Sequence, residues 1–206
     1  MKKSGIFIGL LAIAILASCS RREPVVTIKT EFGDIVLILF DETPQHKKNF
    51  LELARGGFYN GTTFHRVIDN FMIQGGDPNS KDNDKTNDGR GSPGYKIPAE
   101  FNEKLIHIQG AVAAARQADQ FNPEKESNGS QFYIIEPEQG YHFLDGEYTV
   151  FGQVISGLEV VQTIAEQAKD PRNNRPLEDI TMTMEIKKMS KNRITKLYGY
   201  EFPENE

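Results

Sequence analysis

The chain predicts an all-β protein, either a barrel or a sandwich, with two helices. Short apolar or alternating stretches recur from residue 25 to residue 189, separated by glycine-, asparagine- and proline-rich turns. Only two segments show helical periodicity with start or stop signals. The 206 residues, 38% hydrophobic and 26% charged, suit one soluble domain with short additions. Periodicity alone does not distinguish a barrel from a sandwich.

The first part of this region predicts two strands, a helix and two further strands. Residues 25–40, VVTIKTEFGDIVLILF, give two strands joined by a bend. In the helix that follows, Thr43 is expected to cap the first turn and Pro44 occupies a favourable first position. The glycines at 56–57 end this helix. Residues 64–78, FHRVIDNFMIQGGDP, then alternate as two strands around a turn.

This last stretch places an arginine in an apolar alternation. A period of two puts Phe64, Arg66 and Ile68 on one side and His65 and Val67 on the other. Taken alone, such an arginine is typical of an edge position or a structural ion pair, so the stretch by itself does not indicate a function.

The remaining chain predicts a loop, four strands, a helix and a tail. Residues 79–94 form a polar loop without the glycine and glutamate positions of a calcium loop. Further strands are predicted at 108–115, 130–135, 149–155 and 179–189, and a second helix at Glu159–Lys169. The charged tail at 191–206 either packs its aromatic side chains on the domain or is disordered; these side chains are Tyr198, Tyr200 and Phe202.

The N-terminus resembles a bacterial lipoprotein signal. Lys2 and Lys3 precede an apolar run at 6–17 that is too short to span a bilayer comfortably. The run ends in Leu-Ala-Ser before Cys19, the only cysteine of the chain. We predict a signal peptide at 1–18, lipidation of Cys19, and a tether at 19–24. The protein is then anchored by lipid in the cell envelope, facing the periplasm or the exterior; the alternative is an ordinary cleaved signal with an incidental cysteine.

Several functions are excluded by the residues present. A net charge of −5 argues against a nucleic-acid partner. The four histidines are scattered and show no HExxH or paired Cys/His spacing, so no metal site is predicted. The NGSQ sequence at 128–131 is not a nucleophile elbow, and the glycines at 89–94 do not lead from a strand into a helix. No cofactor is predicted.

Four blocks in one order carry a family resemblance. They are FHRVIDNFMIQGGDP at 64–78, GYKIPAEF at 94–101, NGSQFYI at 128–134 and FLDGEYTVFGQV at 143–154. Together they resemble the cyclophilins, which are peptidyl-prolyl cis-trans isomerases, over roughly residues 25–189. The resemblance implies a closed eight-stranded antiparallel barrel capped by two helices, in a domain at 25–190. It also implies proline-containing polypeptides as partners, and we expect a monomer.

The family's site maps onto this chain by position. Arg66 falls on the catalytic arginine. The positions implied to bind substrate are His65, Phe71, Met72, Gln74, Ala115, Arg116, Gln131, Tyr133, Phe143, Leu144 and Tyr148. Many relatives have asparagine in place of Arg116, and the position of Tyr133 is often phenylalanine. Phe143 and Tyr148 stand where many eukaryotic members have tryptophan and histidine. Because an indole N–H donor is missing, weak binding of cyclosporin is expected.

The implied reaction suits these residues. Rotation about an X–Pro bond has a barrier of roughly 18–20 kcal/mol and breaks no bond, so it needs no nucleophile or metal. Arg66 is expected to donate a hydrogen bond that strengthens as the amide twists. Two other hypotheses are a proline-segment-binding chaperone module with little turnover and a structural envelope protein. The intact pocket argues against both.

Overall fold

The structure is a computed structural model that describes residues 22–203. The predicted signal peptide, Cys19 and the first part of the tether lie outside these residues, whereas positions 22–24 of the tether belong to the first strand. The helices are α1 (Pro44–Arg55), α2 (Leu158–Ala165) and α3 (Lys191–Tyr198). The strands are β1 (Arg22–Thr30), β2 (Gly33–Leu39), β3 (Arg66–Ile68), β4 (Met72–Gly75), β5 (Lys96–Ile97), β6 (Ala111–Ala114), β7 (Ser127–Asn128), β8 (Phe132–Ile135), β9 (Val150–Ser156) and β10 (Thr183–Ser190).

Eight of the strands form one antiparallel sheet in the order β10-β1-β2-β9-β6-β8-β4-β3, and β5 pairs with β7 apart from it. The mostly-β class and the strand count are confirmed, but the closed barrel is not, because β3 and β10 do not pair. The chain segments that precede these two strands meet instead. Gly61 N donates to Met182 O, Met182 N to Thr62 O, and Phe64 N to Ile180 O, all at 2.9 Å. These bonds form a single antiparallel bridge between Thr63 and Thr181 that extends into no ladder, so the sheet keeps two edges.

The main core lies on the inner face of the curved sheet, under α1 and α2. Side chains alternate along each strand, so every second residue reaches this core. On β1 and β2 these are Val26, Ile28, Ile35, Leu37 and Leu39, and on β6 and β8 they are Val112, Ala114, Phe132 and Ile134. Phe50 of α1 packs against Phe132 with ring centroids 5.4 Å apart. Two smaller apolar clusters lie on the outer face of the sheet.

The start of α1 differs from its prediction. Thr43 is the N-cap, but its side chain accepts no capping hydrogen bond. The carboxylate of Glu100 takes this role from a distant loop, accepting from Gln45 N and His46 N at 3.0 Å each. The same carboxylate lies 2.6 Å from Nδ1 of His46, whose Nε2 lies 2.9 Å from Ser127 Oγ. A full negative charge at a helix N-terminus is favourable, which explains why the carboxylate replaces the hydroxyl.

The second helix is shorter than its prediction. Gly157 precedes α2 with a φ of 92°, a left-handed conformation that glycine adopts without strain. The helix ends at Ala165 rather than continuing to residue 169. Gln167 N donates to Ile164 O, three residues back, which tightens the last turn. Lys169 then pairs with Pro176 in an isolated bridge, which turns the chain away from the helix axis.

The C-terminal tail packs on the domain as a third helix. Ser190 caps α3 by accepting a hydrogen bond from Arg193 N, and Gly199 ends it with a φ of 69°. Ile194 is fully buried in a cluster with Val25, Val36 and Ile38 on the outer face of β1 and β2, and the tail's aromatic residues join it: Tyr198, Tyr200 and Phe202. Of the two alternatives for the tail, packing is therefore the one observed. Within residues 22–203, no helix is long and apolar enough to cross a membrane.

Candidate functional site

The site lies on the outer face of the sheet, where β3, β4 and β8 run side by side. The strand register places Arg66 opposite Gln74 and Gln74 opposite Tyr133. Because these three pairing positions share one face, the side chains form a row across the strands. Ile73 and Ile134, one residue along from this row, point into the main core. Alternation therefore separates the residues that hold the fold from those that face the site.

This face carries a cleft with a volume of about 130 Å³. Its lining contains nine of the positions that the resemblance assigns to the site: Arg66, Phe71, Met72, Gln74, Ala115, Arg116, Tyr133, Leu144 and Tyr148. These residues come from four separate parts of the chain, and the antiparallel sheet with two adjoining loops brings them together. The walls are mostly apolar or aromatic, and the two cationic residues in the lining are Arg66 and Arg116.

Arg66 presents a half-buried guanidinium beside apolar groups. Its Nη1 donates to Gln74 Oε1 at 3.1 Å and lies 3.9 Å from Met72 Sδ. Its central carbon is 6.0 Å from the ring centroid of Phe71. Burial lowers the pKa of Arg66, but the usual pKa of a guanidinium is so high that the side chain stays charged at neutral pH. Within residues 22–203 only Nη1 has an acceptor, so the other donors remain for a ligand.

A chain of two glutamines sets the position of this arginine. Gln74 Nε2 donates to Gln131 Oε1 at 3.1 Å, and Gln131 Nε2 donates to the carbonyls of Gly89 at 3.1 Å and Gly91 at 2.8 Å. The two carbonyls fix the amide orientation of Gln131, because only its NH₂ group is able to donate to them. The orientation passes to Gln74, whose oxygen then faces Arg66. Gln131 lies behind the cleft and acts through Gln74.

Arg116 joins the two loops that border the cleft. Its buried side chain donates from Nε to Glu147 O at 2.8 Å and from Nη2 to Glu147 Oε2 at 3.2 Å. It also forms an ion pair with Asp119. The guanidinium lies 4.5 Å from the ring centroid of Tyr148, which is within range of a cation–π contact. The side chain thus holds Tyr148 in the wall, while its backbone remains next to Ala115 at the rim.

Besides Gln131, two assigned residues do not line the cleft. His65 is buried on the other side of the backbone, and burial lowers its pKa. Phe64, expected on the side of Arg66, lies in the main core instead, because the ladder begins only at Arg66. Phe143 is 71% exposed and contacts Tyr141, with ring centroids 4.6 Å apart. Tyr141 in turn packs against Phe71 in a tilted arrangement, with ring centroids 4.3 Å apart.

Sequence reasoning missed three residues near the cleft. Tyr141 links Phe143 to the wall, and no motif distinguishes it from an ordinary loop tyrosine. His107 and Asp145 lie beneath the floor, where His107 Nε2 is 2.9 Å from Tyr133 Oη and its Nδ1 is 2.7 Å from Asp145 Oδ1. These residues are 38 positions apart, so their spacing carries no signal. Their proximity follows only from the tertiary fold.

This geometry defines a class of protein. An apolar cleft with a charged donor at its side suits the binding of an extended peptide. Among residues 22–203, no group of three histidine, cysteine, aspartate or glutamate residues is placed to hold a metal ion. The class is a non-covalent, peptide-binding enzyme built on a curved antiparallel sheet.

Comparison with known proteins identifies the family. The cyclophilin-type peptidyl-prolyl cis-trans isomerase family matches residues 25–186. The chain is 40% identical over 160 residues to peptidyl-prolyl cis-trans isomerase-like 3 of Rattus norvegicus, covering 75% of this chain and 90% of that protein. It is 37% identical over 174 residues to peptidyl-prolyl cis-trans isomerase B of Streptomyces anulatus, covering 76% and 91%. The chain belongs to the cyclophilin-type isomerases and is an enzyme of that family.

Solved structures agree with this result. A crystal structure of a Cryptosporidium parvum cyclophilin-type isomerase matches with a TM-score of 0.69 and 31% identity, over 81% of this chain and 98% of the other. A second structure of that protein, in the presence of the dipeptide Ala-Pro, matches with a TM-score of 0.68 and 32% identity, over 79% and 98%.

Proposed function

We propose that this isomerase is a folding catalyst of the cell envelope, anchored by lipid at Cys19, that accelerates X–Pro rotation in exported proteins. The sequence from Lys2 to Cys19 supports the anchor. The first strand begins at Arg22, shortly after Cys19 along the chain. Since an extended chain spans at most roughly 3.3–3.6 Å per residue, the linker between them holds the domain within about 10 Å of the lipidated residue. Such a domain meets client chains as they emerge at the membrane.

The cleft supports the choice of proline as the bound residue. The related Cryptosporidium parvum protein was crystallised in the presence of Ala-Pro. In this chain, Phe71, Met72, Tyr133 and Leu144 offer a compact apolar surface on which a proline ring packs. Gln74 and the backbone near Arg116 are placed to hold one side of the peptide while the other side rotates.

The mechanism depends on Arg66, and its placement is the observation that carries the proposal. As the X–Pro amide twists, it loses resonance and its nitrogen regains a lone pair. A donor that bonds more strongly to the twisted amide than to either planar form lowers the barrier to rotation. Each reduction of the barrier by about 1.36 kcal/mol raises the rate about tenfold. The half-buried guanidinium lies in apolar surroundings, where such a bond is stronger than in water. No proton needs to leave the arginine during the reaction.

The anchor is tested by replacing Cys19 with alanine. The unaltered protein is expected in the membrane fraction with incorporated radiolabelled fatty acid, because two or more acyl chains give stable binding. The Cys19→Ala protein is expected to lose the label completely, and turnover on a proline peptide should be unchanged. Equal labelling of both proteins, or none in either, contradicts lipidation at Cys19. The isomerase assay is independent of that result.

Weak inhibition by cyclosporin remains a prediction, and Phe143 provides its test. Phe143 is exposed beside the cleft but lacks the indole N–H donor of many eukaryotic relatives. Phe143→Trp is expected to lower the inhibition constant about tenfold, since one hydrogen bond contributes about 0.5–1.5 kcal/mol and the larger ring adds contact area. Inhibition titrations on both proteins measure this. Phe143→Leu serves as the control and should not tighten binding; equal inhibition of all three contradicts the prediction.

A further inference from the structure

Three hydrogen-bonded polar side chains lie directly beneath the cleft, and two of them, His107 and Tyr133, are buried. Asp145 Oδ1 is 2.7 Å from His107 Nδ1, and His107 Nε2 is 2.9 Å from Tyr133 Oη. His107 has no exposed surface, and Tyr133 is only 5% exposed although its ring forms part of the cleft lining. These hydrogen bonds therefore link the loop that carries Leu144 and Asp145, through the buried His107, to Tyr133 in the cleft floor.

The hydrogen-bonding directions in this chain follow from its chemistry. The carboxylate of Asp145 only accepts, so His107 carries its proton on Nδ1. Nε2 of the neutral ring is then an acceptor, and Tyr133 donates its hydroxyl proton to it. The two rings are inclined by only 12°, which suits an in-plane bond from the phenol to the imidazole lone pair. Burial lowers the pKa of His107 and raises that of Tyr133 well above 10, so both stay neutral.

The hydrogen-bonded side chains connect two parts of the cleft that are remote in sequence. Asp145 directly follows Leu144, which lines the cleft, and also accepts from the backbone N–H of His107 at 2.7 Å. His107 O in turn accepts from Tyr141 N at 2.7 Å. Each end of the loop is thus fixed to His107, while the ring of Tyr133 is fixed from the other side. Without His107, the hydroxyl of Tyr133 would be buried without a partner.

We propose that His107 is a positioning residue of this isomerase, which fixes the Tyr133 ring and the Leu144 loop at the separation that grips a proline ring. The inference rests on the function proposed above. His107 reaches no substrate itself. A fixed cleft floor contacts the proline ring equally when the amide is planar and when it is twisted. Loosening the floor therefore weakens the binding of both states equally. Such a loss of uniform binding raises KM and leaves kcat unchanged.

The kinetic test compares two buried histidines that have the same kinds of partner. His46 is also placed between a carboxylate, Glu100, and a hydroxyl, Ser127, but lies outside the cleft. In the full-length protein solubilised in detergent, His107→Leu is expected to raise KM for a short proline peptide about five- to tenfold at unchanged kcat. His46→Leu is expected to lower the melting temperature without changing KM. An unchanged KM in a folded His107→Leu protein, or an equal rise in both variants, overturns the proposal.

Conservative variants keep the test valid if His107→Leu does not fold. The amide of His107→Gln reaches the position of Nε2 and is expected to restore KM to within about twofold. Tyr133→Phe removes the same hydrogen bond from the side of the cleft floor and is expected to raise KM. Adding Tyr133→Phe to His107→Leu should raise KM no further, because each single variant already lacks this hydrogen bond. Unchanged KM in Tyr133→Phe, or a strictly additive double variant, counts against a shared role.

A spectroscopic measurement separates this inference from the proposed function. In ¹⁵N-histidine-labelled protein, His107 is expected to show a protonated Nδ1 and an unprotonated Nε2 near neutral pH. Tyr133→Phe should shift only the Nε2 resonance. An Nε2-protonated ring overturns the hydrogen-bonded chain whatever the activity. Conversely, the expected tautomer in a protein without turnover would leave the chain intact and refute only the proposed catalysis.

Discussion

Arg66→Ala is expected to lower kcat/KM for X–Pro isomerisation by at least a hundredfold without unfolding the protein. The arginine is half-buried, its side chain contacts the neighbouring Gln74 and Met72 of the sheet, and it is not part of the main core, so no core contact is lost. A preorganised donor that acts on developing charge contributes about 2.7–4 kcal/mol, or 10²–10³ in rate. The loss should appear mainly in kcat, because the apolar walls that bind the proline remain.

Two control variants make this experiment specific. Arg66→Lys retains a positive charge but not the planar set of donors, and is expected to recover only a small part of the rate. Arg55→Ala removes an exposed arginine at the end of α1 and should behave like the unaltered protein. NMR exchange spectroscopy on a proline peptide measures turnover, and circular dichroism confirms folding. Near-full turnover in folded Arg66→Ala would refute the mechanism, while no turnover in the unaltered protein would favour a proline-binding module.

Arg175→Leu is expected to reduce the free energy of unfolding by about 3–5 kcal/mol, the usual cost of removing one partner from a buried ion pair. Arg175 Nε lies 2.5 Å from Asp88 Oδ2, and both side chains are at most 7% exposed. Nη1 also bonds to Asp179 Oδ1 at 2.8 Å. With the arginine gone, the carboxylate of Asp88 is left buried without its cation, which is the source of the penalty.

The chain offers a matched control three residues away. Arg172 pairs with Asp170 at 2.6 Å but is 87% exposed, so Arg172→Leu is expected to cost less than about 1 kcal/mol. Urea denaturation of both variants gives the comparison. Similar losses in the two would show that burial does not determine the effect. Because Asp88 precedes Gly89, which holds Gln131, we also expect the Arg175 variant to lose some activity.

Local sequence patterns were enough to predict most of the strands. The apolar runs in residues 25–40 and the alternation in 179–189 predict β1, β2 and β10, because each of these strands has a face in the main core. The same alternation distinguishes Arg66 from Val67, so that one faces the cleft and the other the core. The list of cleft residues needed the family resemblance, since no single block indicates a pocket.

The features that were missed depend on contacts between distant residues. Glu100, which caps α1, lies in a loop 54 residues from His46 along the sequence. The sequence around Thr43 does not indicate that the threonine hydroxyl leaves the cap to another residue. The third helix buries only one of its residues, Ile194, completely, and this burial depends on the outer surface of β1 and β2. The prediction of a closed barrel was wrong for a similar reason, because closure requires a ladder between two segments that are distant in sequence, and they form only the single bridge of Thr63 with Thr181.

The open sheet has a consequence for how copies of this protein behave when crowded. Among residues 22–203, β10 forms a ladder with β1 along one side only, and a strand edge without a ladder is a template for another chain. On this edge Met184 N is already taken by Asn60 Oδ1 at 3.1 Å. The exposed side chains include Glu185, Lys187 and Lys188, and such charges discourage a flat neighbour from docking. These charges therefore protect neighbouring copies of the protein against sheet-to-sheet aggregation.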